Sequence, residues 1–214
     1  RGWYRNKKKN RVKIKMTVIG ITGSIASGKS TVAKIIAKKT HPLFSADKVV
    51  ADLYKKKTFI NLLVKTFKLN KKKNIKLQIK ALVKKNKVKF TILESIIHPI
   101  VRKEINNFLK IRGKTLILEI PLLIENKLSK YFDKVIFVDS KKNIRLKRYI
   151  KHSHDKKMFE LLNKRQSLPT IKKKYCDYII TNNSSLAVLK KNIKKIYRIY
   201  EWNIFRYRNN WFIG

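Results

Sequence analysis

The chain has 214 residues, of which 43% are hydrophobic and 10% aromatic, and its 55 Lys and Arg against 12 Asp and Glu give a formal net charge of +43. This length predicts one α/β domain or one domain with an inserted flap, and the apolar content excludes a disordered polyelectrolyte. The single cysteine, Cys176, excludes an internal disulfide framework and a cysteine-cluster zinc site. The longest apolar runs, 16–26 and 115–124, are too short to span a bilayer, and no secretory signal is visible, so we expect a cytoplasmic protein.

Most of the positive charge comes from lysine. The chain has 44 Lys and only 11 Arg, together with 29 Ile and 17 Asn. Because Lys, Ile and Asn have A/T-rich codons, we interpret the lysine excess mainly as a consequence of base composition and expect no nucleic-acid partner. A genuine anionic partner is the alternative, since phosphate neutralisation uses the same side chains.

The first fifteen residues hold eight basic residues and no acid. They show neither helical nor strand periodicity, which predicts a disordered basic tail. Met16 stands directly before the first apolar run, so we expect the natural chain to start there, with a native basic arm as the alternative. Residues 201–214 are predicted to form a second tail, aromatic and basic.

Apolar runs and helical patterns alternate along the rest of the chain, which predicts a parallel sheet covered by helices on both faces. The predicted strands are 17–22, 43–44, 115–120, 134–138 and 178–181. The predicted helices are 30–39, 49–57, the stretch 59–112 with Pro99 as its main interruption, 143–150, 156–167 ended by Pro169, and 186–200.

The segment after the first strand matches the phosphate-binding pattern G-x-x-x-x-G-K-[ST] at every specified position. Its residues are Gly23, Ser24, Ile25, Ala26, Ser27, Gly28, Lys29 and Ser30. The glycines let the loop curl so that backbone N–H groups and the next helix N-terminus face a phosphate. In this pattern the lysine reaches the β- and γ-phosphates and the serine hydroxyl binds Mg²⁺. The loop therefore predicts ATP or GTP binding, against the alternative of an ordinary glycine-rich turn.

Asp47 follows the second predicted strand, where open α/β sheets place residues that contact ligands. A carboxylate there can accept the proton of an attacking hydroxyl or align that hydroxyl with the γ-phosphate. The alternative is that Asp47 caps the helix predicted from Val49.

Six segments, in this order, strongly resemble the dephospho-coenzyme A kinase family of P-loop kinases. The phosphate loop is shared by many kinases, whereas L-E-S-I-I-H-P and P-L-L-I-E at this spacing are more specific. The segments are Ile19–Thr31, Ser45–Tyr54, Leu93–Pro99, Glu119–Glu125, Val135–Asp139 and Asp177–Asn182.

The resemblance implies an α/β, three-layer P-loop NTPase fold with a five-stranded parallel sheet. It places the kinase domain at 16–200, a helical acceptor-binding insertion at 59–112 and a lid at 150–163. The implied reaction is phosphoryl transfer from ATP, with Mg²⁺, to the ribose 3′-hydroxyl of dephospho-coenzyme A, the last step of coenzyme A biosynthesis. We expect a monomer or a small homo-oligomer.

The resemblance also implies roles for individual residues. Asp47 is the expected catalytic base, Lys29 the catalytic cation and Ser30 the metal ligand. The acceptor is expected to contact Asp47, His98, Glu119, Pro121 and Leu122. The nucleotide is expected to contact Gly23, Ser24, Ile25, Ala26, Ser27, Gly28, Lys29, Ser30, Thr31, Arg148 and Asn182.

Several of these roles have structural alternatives. His98 is either an acceptor ligand or a buried structural histidine, and Arg148 lies either near the nucleotide or on a solvated helix face. Thr31 lies either near the α-phosphate or at a plain helix position. Glu119 either binds a magnesium water or orients the acceptor, and Glu125 is a candidate hydrogen-bond anchor.

The sequence also departs from the family pattern. Ser45 stands where the family usually has an acid, Gln78-Ile79 where it commonly has an Asp-Arg pair, and His152 near a lid arginine. The phosphate loop and Asp47 are unaffected, so the reaction class is retained. Two other functions stay open: another small P-loop kinase for a nucleotide or metabolite, and a basic nucleic-acid-binding protein that keeps a phosphate loop.

Overall fold

The computed structural model describes residues 17–38 and 40–196. The predictions for the basic segment 1–15, for a start at Met16, for the last residues of the final helix and for the tail 201–214 lie outside these ranges.

Five parallel strands form one sheet in the order β2-β3-β1-β4-β5. The strands are β1 Val18–Gly23, β2 Leu43–Ser45, β3 Leu116–Glu119, β4 Lys134–Asp139 and β5 Tyr178–Thr181. The helices are α1 Lys29–Ala37, α2 Ala46–Leu53, α3 Lys57–Phe67, α4 Ile75–Lys85, α5 Lys87–Phe108, α6 Lys142–Ser153, α7 Lys156–Lys164, α8 Pro169–Lys173 and α9 186–196. The predicted strands and the parallel arrangement are confirmed.

Alternate residues of the central strands face opposite layers, as the period of two requires. Ile19 and Ile21 of β1 pack with α1 and α9, whereas Val18 packs with α5. Both faces of the sheet are therefore buried, and the three-layer architecture is confirmed. A third apolar cluster joins α3, α4, the first half of α5 and Met158 of α7.

Helix α5 runs through Pro99 without a break, so the prediction that Pro99 interrupts the helical pattern is wrong. A proline inside a helix costs about 3 kcal/mol. Both halves of α5 are anchored by burial, Phe90 and Leu93 in the helical cluster and Ile105 against the sheet. This tertiary packing offsets the local cost.

Two other helix boundaries differ from the prediction. Helix α2 begins at Ala46 rather than Val49, because the Ser45 hydroxyl accepts a hydrogen bond from the Lys48 N–H at 3.4 Å and caps the helix. Pro169 does not end α7, which stops at Lys164; it opens α8 at the first helical position, where a missing N–H costs nothing. Among the described residues, no helix is long and apolar enough to cross a membrane.

Candidate active site

The phosphate loop lies between β1 and α1, at the carboxyl edge of the sheet. Gly28, directly before α1, has φ 93°, a left-handed conformation that favours glycine. A Cβ built at this position would collide with Nδ2 of Asn182. Two requirements therefore fix a glycine here, the backbone conformation and the close approach of Asn182.

Four side chains from distant parts of the chain hold the backbone of the loop. Gln166 accepts the Ile25 N–H at 2.9 Å, and Arg145 donates to the Ile25 carbonyl at 3.2 Å. Asn182 donates to the Ser27 carbonyl at 2.8 Å, and the Arg148 guanidinium approaches the same oxygen at 3.5 Å. The loop is thus shaped by the protein itself.

Lys29 and Ser30 are the first two residues of α1 and lie beside the carboxyl ends of β1 and β3. Lys29 is buried, and its Nζ donates to the Ser24 carbonyl at 3.2 Å. Burial lowers the pKa of the Lys29 ammonium, while the nearby charges of Asp47 and Glu119 act in the opposite direction. The Ser30 hydroxyl donates to Oε1 of Glu119 at 2.6 Å. A hydroxyl beside a buried carboxylate is a donor set that suits Mg²⁺.

Asp47 lies in the first turn of α2. Since Ser45 caps this helix, the alternative role of Asp47 as a cap is excluded. Burial raises the pKa of the Asp47 carboxyl; Lys29 lowers it and Glu119 raises it further. A carboxylate with a raised pKa is a better proton acceptor, which is what a general base requires.

Two adjoining cavities meet at Asp47. One, of about 300 Å³, contains Lys29 and reaches the phosphate loop and α7; the other, of about 170 Å³, extends along α5. The residues common to both are Asp47, Ile97, His98, Pro121 and Leu122. One space therefore reaches both the lysine of the phosphate loop and Asp47, as transfer from a nucleotide to a hydroxyl requires.

The turn after β3 is fixed by a buried ion pair. The Lys172 ammonium, with no exposed surface, lies 2.7 Å from Glu125 and donates to the Pro121 carbonyl at 3.3 Å. Glu125 also accepts the Ser167 N–H at 2.9 Å. The turn that carries Pro121 is therefore held by Lys172 of α8 and by the backbone of Ser167, which lies just before α8.

Three consecutive residues after α7 contact three different parts of the site. Arg165 pairs with Glu94 of α5 and stacks on Phe90 with its guanidinium carbon 4.0 Å from the ring centre. Gln166 binds the Ile25 N–H, and the Ser167 N–H binds Glu125. The segment 165–167 therefore connects the phosphate loop to α5 and to Glu125 in the turn after β3.

The family model for dephospho-CoA kinase matches residues 17–188. The chain belongs to the dephospho-CoA kinase family. The dephospho-CoA kinase of Fusobacterium nucleatum is 35% identical over 187 residues, 83% of this chain and 95% of that protein. The Aquifex aeolicus dephospho-CoA kinase is 35% identical over 189 residues, which cover 85% of this chain and 96% of that protein. The solved dephospho-CoA kinase of Campylobacter jejuni has a TM-score of 0.61 and 28% identity, covering 87% and 98% of the two chains.

Family membership confirms the predicted family and kinase class, with ATP as the phosphoryl donor. It does not assign roles to single residues, so the predicted site roles stay predictions. The structure does bring Lys29, Asp47, His98, Pro121 and Leu122 to one place. Arg148 and Asn182 lie behind the phosphate loop and do not line these cavities, and Thr31 is exposed on α1.

The structure shows where the three departures from the family pattern lie. Ser45 caps α2, as described above. Gln78 accepts the Asn70 N–H at 3.0 Å at the turn before α4, while Ile79 is buried in the helical cluster. His152 is exposed near the end of α6. Gln78 and Ile79 therefore have structural contacts in this chain.

The sequence motifs did not predict five residues at the site: Arg102, Arg145, Arg165, Gln166 and Lys172. A compositional signal could have pointed to the arginines, because the chain has only 11 of them against 44 lysines. The described residues contain Arg102, Arg112, Arg145, Arg148 and Arg165, and all except Arg112 lie at the site. The planar guanidinium of arginine suits such positions, because it donates hydrogen bonds in a fixed geometry that lysine lacks. No comparable local signal marks Gln166 or Lys172.

Proposed function

We propose that this chain transfers the γ-phosphoryl group of ATP to the ribose 3′-hydroxyl of dephospho-coenzyme A, giving coenzyme A and ADP. The observation that carries the proposal is the cavity shared by Lys29 and Asp47, with His98 and Pro121 on its walls. Family membership supports the identity of the acceptor.

The donor end of the reaction depends on the phosphate loop. Loop N–H groups and the N-terminus of α1 bind the phosphates, and the Lys29 ammonium neutralises charge on the β- and γ-phosphates. Ser30, and Glu119 through a water molecule, would hold Mg²⁺. When bound there, the ion would neutralise charge that develops on the phosphate oxygens.

The acceptor end depends on Asp47. Its carboxylate accepts the proton of the 3′-hydroxyl, or holds that hydroxyl in line with the γ-phosphate, as transfer proceeds. Phosphoryl transfer has a loose transition state, so positioning of the reactants contributes most to catalysis. The presence of Lys29 and Asp47 in one cavity is therefore the decisive feature. The predicted lid, residues 150–163, would exclude water, and Asp155 within it pairs with Lys80 and Lys84 of α4.

A coupled assay of ADP release tests the proposal with dephospho-coenzyme A and adenosine monophosphate as separate acceptors. We expect ADP release that depends on dephospho-coenzyme A, with the new phosphate on the 3′-oxygen by phosphorus NMR. Turnover confined to another acceptor would identify a different small-molecule kinase. ADP release that no acceptor stimulates, together with salt-dependent binding of a DNA or RNA oligonucleotide, would favour the nucleic-acid alternative.

Several finer predictions remain as predictions. They are the use of Mg²⁺, the monomeric or small oligomeric state, the absence of a nucleic-acid partner and the cytoplasmic location. The division into acceptor-binding helices 59–112 and a lid 150–163 also stays a prediction.

A further inference from the structure

The buried guanidinium of Arg145 has no anionic partner in the described part of the chain. Four charged side chains are buried within residues 17–38 and 40–196, namely Lys29, Glu119, Arg145 and Lys172. Lys172 pairs with Glu125, whereas neither Lys29 nor Arg145 forms an ion pair with a carboxylate in these ranges. Lys29 belongs to the phosphate loop, where its charge is expected to meet phosphate groups. Arg145 is therefore a second buried cation whose charge the protein leaves unmatched.

The contacts of Arg145 are all with neutral groups. The residue lies in the first turn of α6 and is only 4% exposed. Its Nε donates to the Ser140 carbonyl at 3.0 Å, and its Nη1 donates to the Ile25 carbonyl at 3.2 Å and to Oδ1 of Asn163 at 2.9 Å. The guanidinium carbon lies 5.7 Å from the ring centre of Phe159. Among the residues that the structure describes, Nη2 has no hydrogen-bond acceptor, so two N–H donors remain in addition to the charge.

The nearby carboxylates are bound to other cations. Burial lowers the pKa of the Arg145 guanidinium, while the charges of Asp139 and Glu160 act in the opposite direction. Asp139 pairs with Lys173 at 2.6 Å, and Glu160 pairs with Lys142 at 3.0 Å. Since arginine stays ionised in proteins, its burial here costs free energy that no ion pair offsets.

The unmatched charge lies directly behind the phosphate loop. Ile25, whose carbonyl Arg145 binds, lines the same cavity as Lys29. Burial lowers the pKa of Lys29, and the charge of Arg145 acts in the same direction, so the two cations are close enough to repel each other. The loop itself, residues 23–30, contains no acid. A polyphosphate bound in the loop would relieve this repulsion and stabilise both cations, because electrostatic interactions are strong where water is excluded.

We propose that Arg145 is a positioning residue for the nucleotide, whose positive charge strengthens the binding of the ATP phosphates by acting through the loop at Ile25. The proposal rests on the use of ATP in the proposed function and does not depend on the acceptor. It adds to the donor side a cation that the phosphate-loop pattern does not contain. Because Nη1 binds Ile25 and Asn163 together, the same side chain holds the loop against α7.

The test separates the charge of Arg145 from its hydrogen bonds and its bulk. Arg145→Met removes the charge and keeps an unbranched side chain, whereas Arg145→Lys keeps the charge. Lys147→Met is the matched control, since Lys147 is exposed on the same helix and has no contact with the loop. Titration calorimetry with ATP and with ADP should show Kd values about tenfold higher for Arg145→Met, the effect of one lost charge-assisted interaction. Arg145→Lys should recover most of this affinity, and Lys147→Met should bind as wild type.

Steady-state kinetics should show the same division. We expect Arg145→Met to raise the KM for ATP and to leave the KM for dephospho-coenzyme A unchanged. Thermal unfolding without nucleotide checks that each variant is folded. If Arg145→Met does not fold, Arg145→Gln replaces it, because glutamine keeps an N–H donor without the charge.

Two results would overturn the proposal. One is wild-type affinity for ATP and ADP in the uncharged variant, and the other is an equal loss of affinity in the uncharged variant and in Arg145→Lys. The second result would mean that the geometry of the side chain matters and its charge does not. Because ADP binding needs neither an acceptor nor turnover, these results are distinguished from failure of the proposed reaction, which would appear as absent phosphorylation of dephospho-coenzyme A by the wild-type enzyme.

Discussion

The donor and acceptor sides of the site are built in opposite ways. On the donor side, Gln166, Arg145, Arg148 and Asn182 bind the backbone of the phosphate loop, so the loop is shaped before any ligand arrives. On the proposed acceptor side, the side chains of Arg102 and Asn106 have no hydrogen bond or ion pair to any other described residue. The difference indicates that the protein preorganises the loop that binds the phosphates. It leaves the side chains on the other side free to form hydrogen bonds with the acceptor.

Asp47 lies where the two sides meet, and its substitution should have the largest effect. We expect Asp47→Asn to lower kcat by about 10²- to 10⁴-fold, because the amide cannot accept the proton of the hydroxyl, while ATP still binds. Asp52→Asn on the same helix is the matched control, since Asp52 is only partly buried and pairs with Lys55 at the surface. Steady-state kinetics and equilibrium binding of ATP measure both quantities. Near-normal turnover of Asp47→Asn would remove Asp47 from the role of base.

Gly28→Ala tests the preorganisation of the donor side. The new methyl group would displace Asn182 from the loop, and we expect ATP affinity to fall about 10- to 100-fold, equivalent to about 1–3 kcal/mol. Gly113→Ala separates backbone strain from this collision. Gly113 also has a positive φ, of 74°, but nothing lies within 4 Å of its added Cβ. The control should lose about 1 kcal/mol of stability and keep its affinity for ATP; equal losses of affinity would contradict the steric explanation.

Gln166→Met tests whether the segment 165–167 acts on the loop. Methionine keeps the length of the side chain but cannot accept the Ile25 N–H as an amide oxygen does. We expect kcat to fall about tenfold with little change in the KM for dephospho-coenzyme A, since one hydrogen bond is lost on the donor side. Gln78→Met removes a similar bond at the turn before α4, together with two that the Gln78 amide donates there, and should leave kcat unchanged. A fall in both variants would point to general destabilisation.

The smallest expected effect is on the pH profile. Burial raises the pKa of Asp47, and the base must be ionised to act, so kcat/KM should fall as the pH drops through this raised value. The acid limb should therefore lie at higher pH than for an ordinary aspartate. A profile of kcat/KM against pH measures it, and the limb should be absent from the residual activity of Asp47→Asn. A limb that persists in this variant would belong to another group.

The sequence predicted much of the fold because its signals are local. Apolar runs mark the strands, and the loop from Gly23 to Ser30 carries its own pattern. Pro99 shows the limit of such signals, since a local helix breaker is overridden by burial of both halves of α5. The end of α7 was placed too late for a similar reason, as Pro169 can begin a helix as well as follow one.

What the sequence by itself determined is the family, the sheet, the phosphate loop and the place of Asp47. What only the tertiary structure decided is which side chains support them. Gln166 reaches Ile25 across 141 positions of the chain, and Asn182 reaches Ser27 across 155. No periodicity or motif connects residues so far apart, because contacts of this kind exist only once the strands have paired and the loops at the carboxyl edge of the sheet have come together. The same physical reason applies to the cavity beyond Arg102, which is lined by residues of α5 and of the segment after β3.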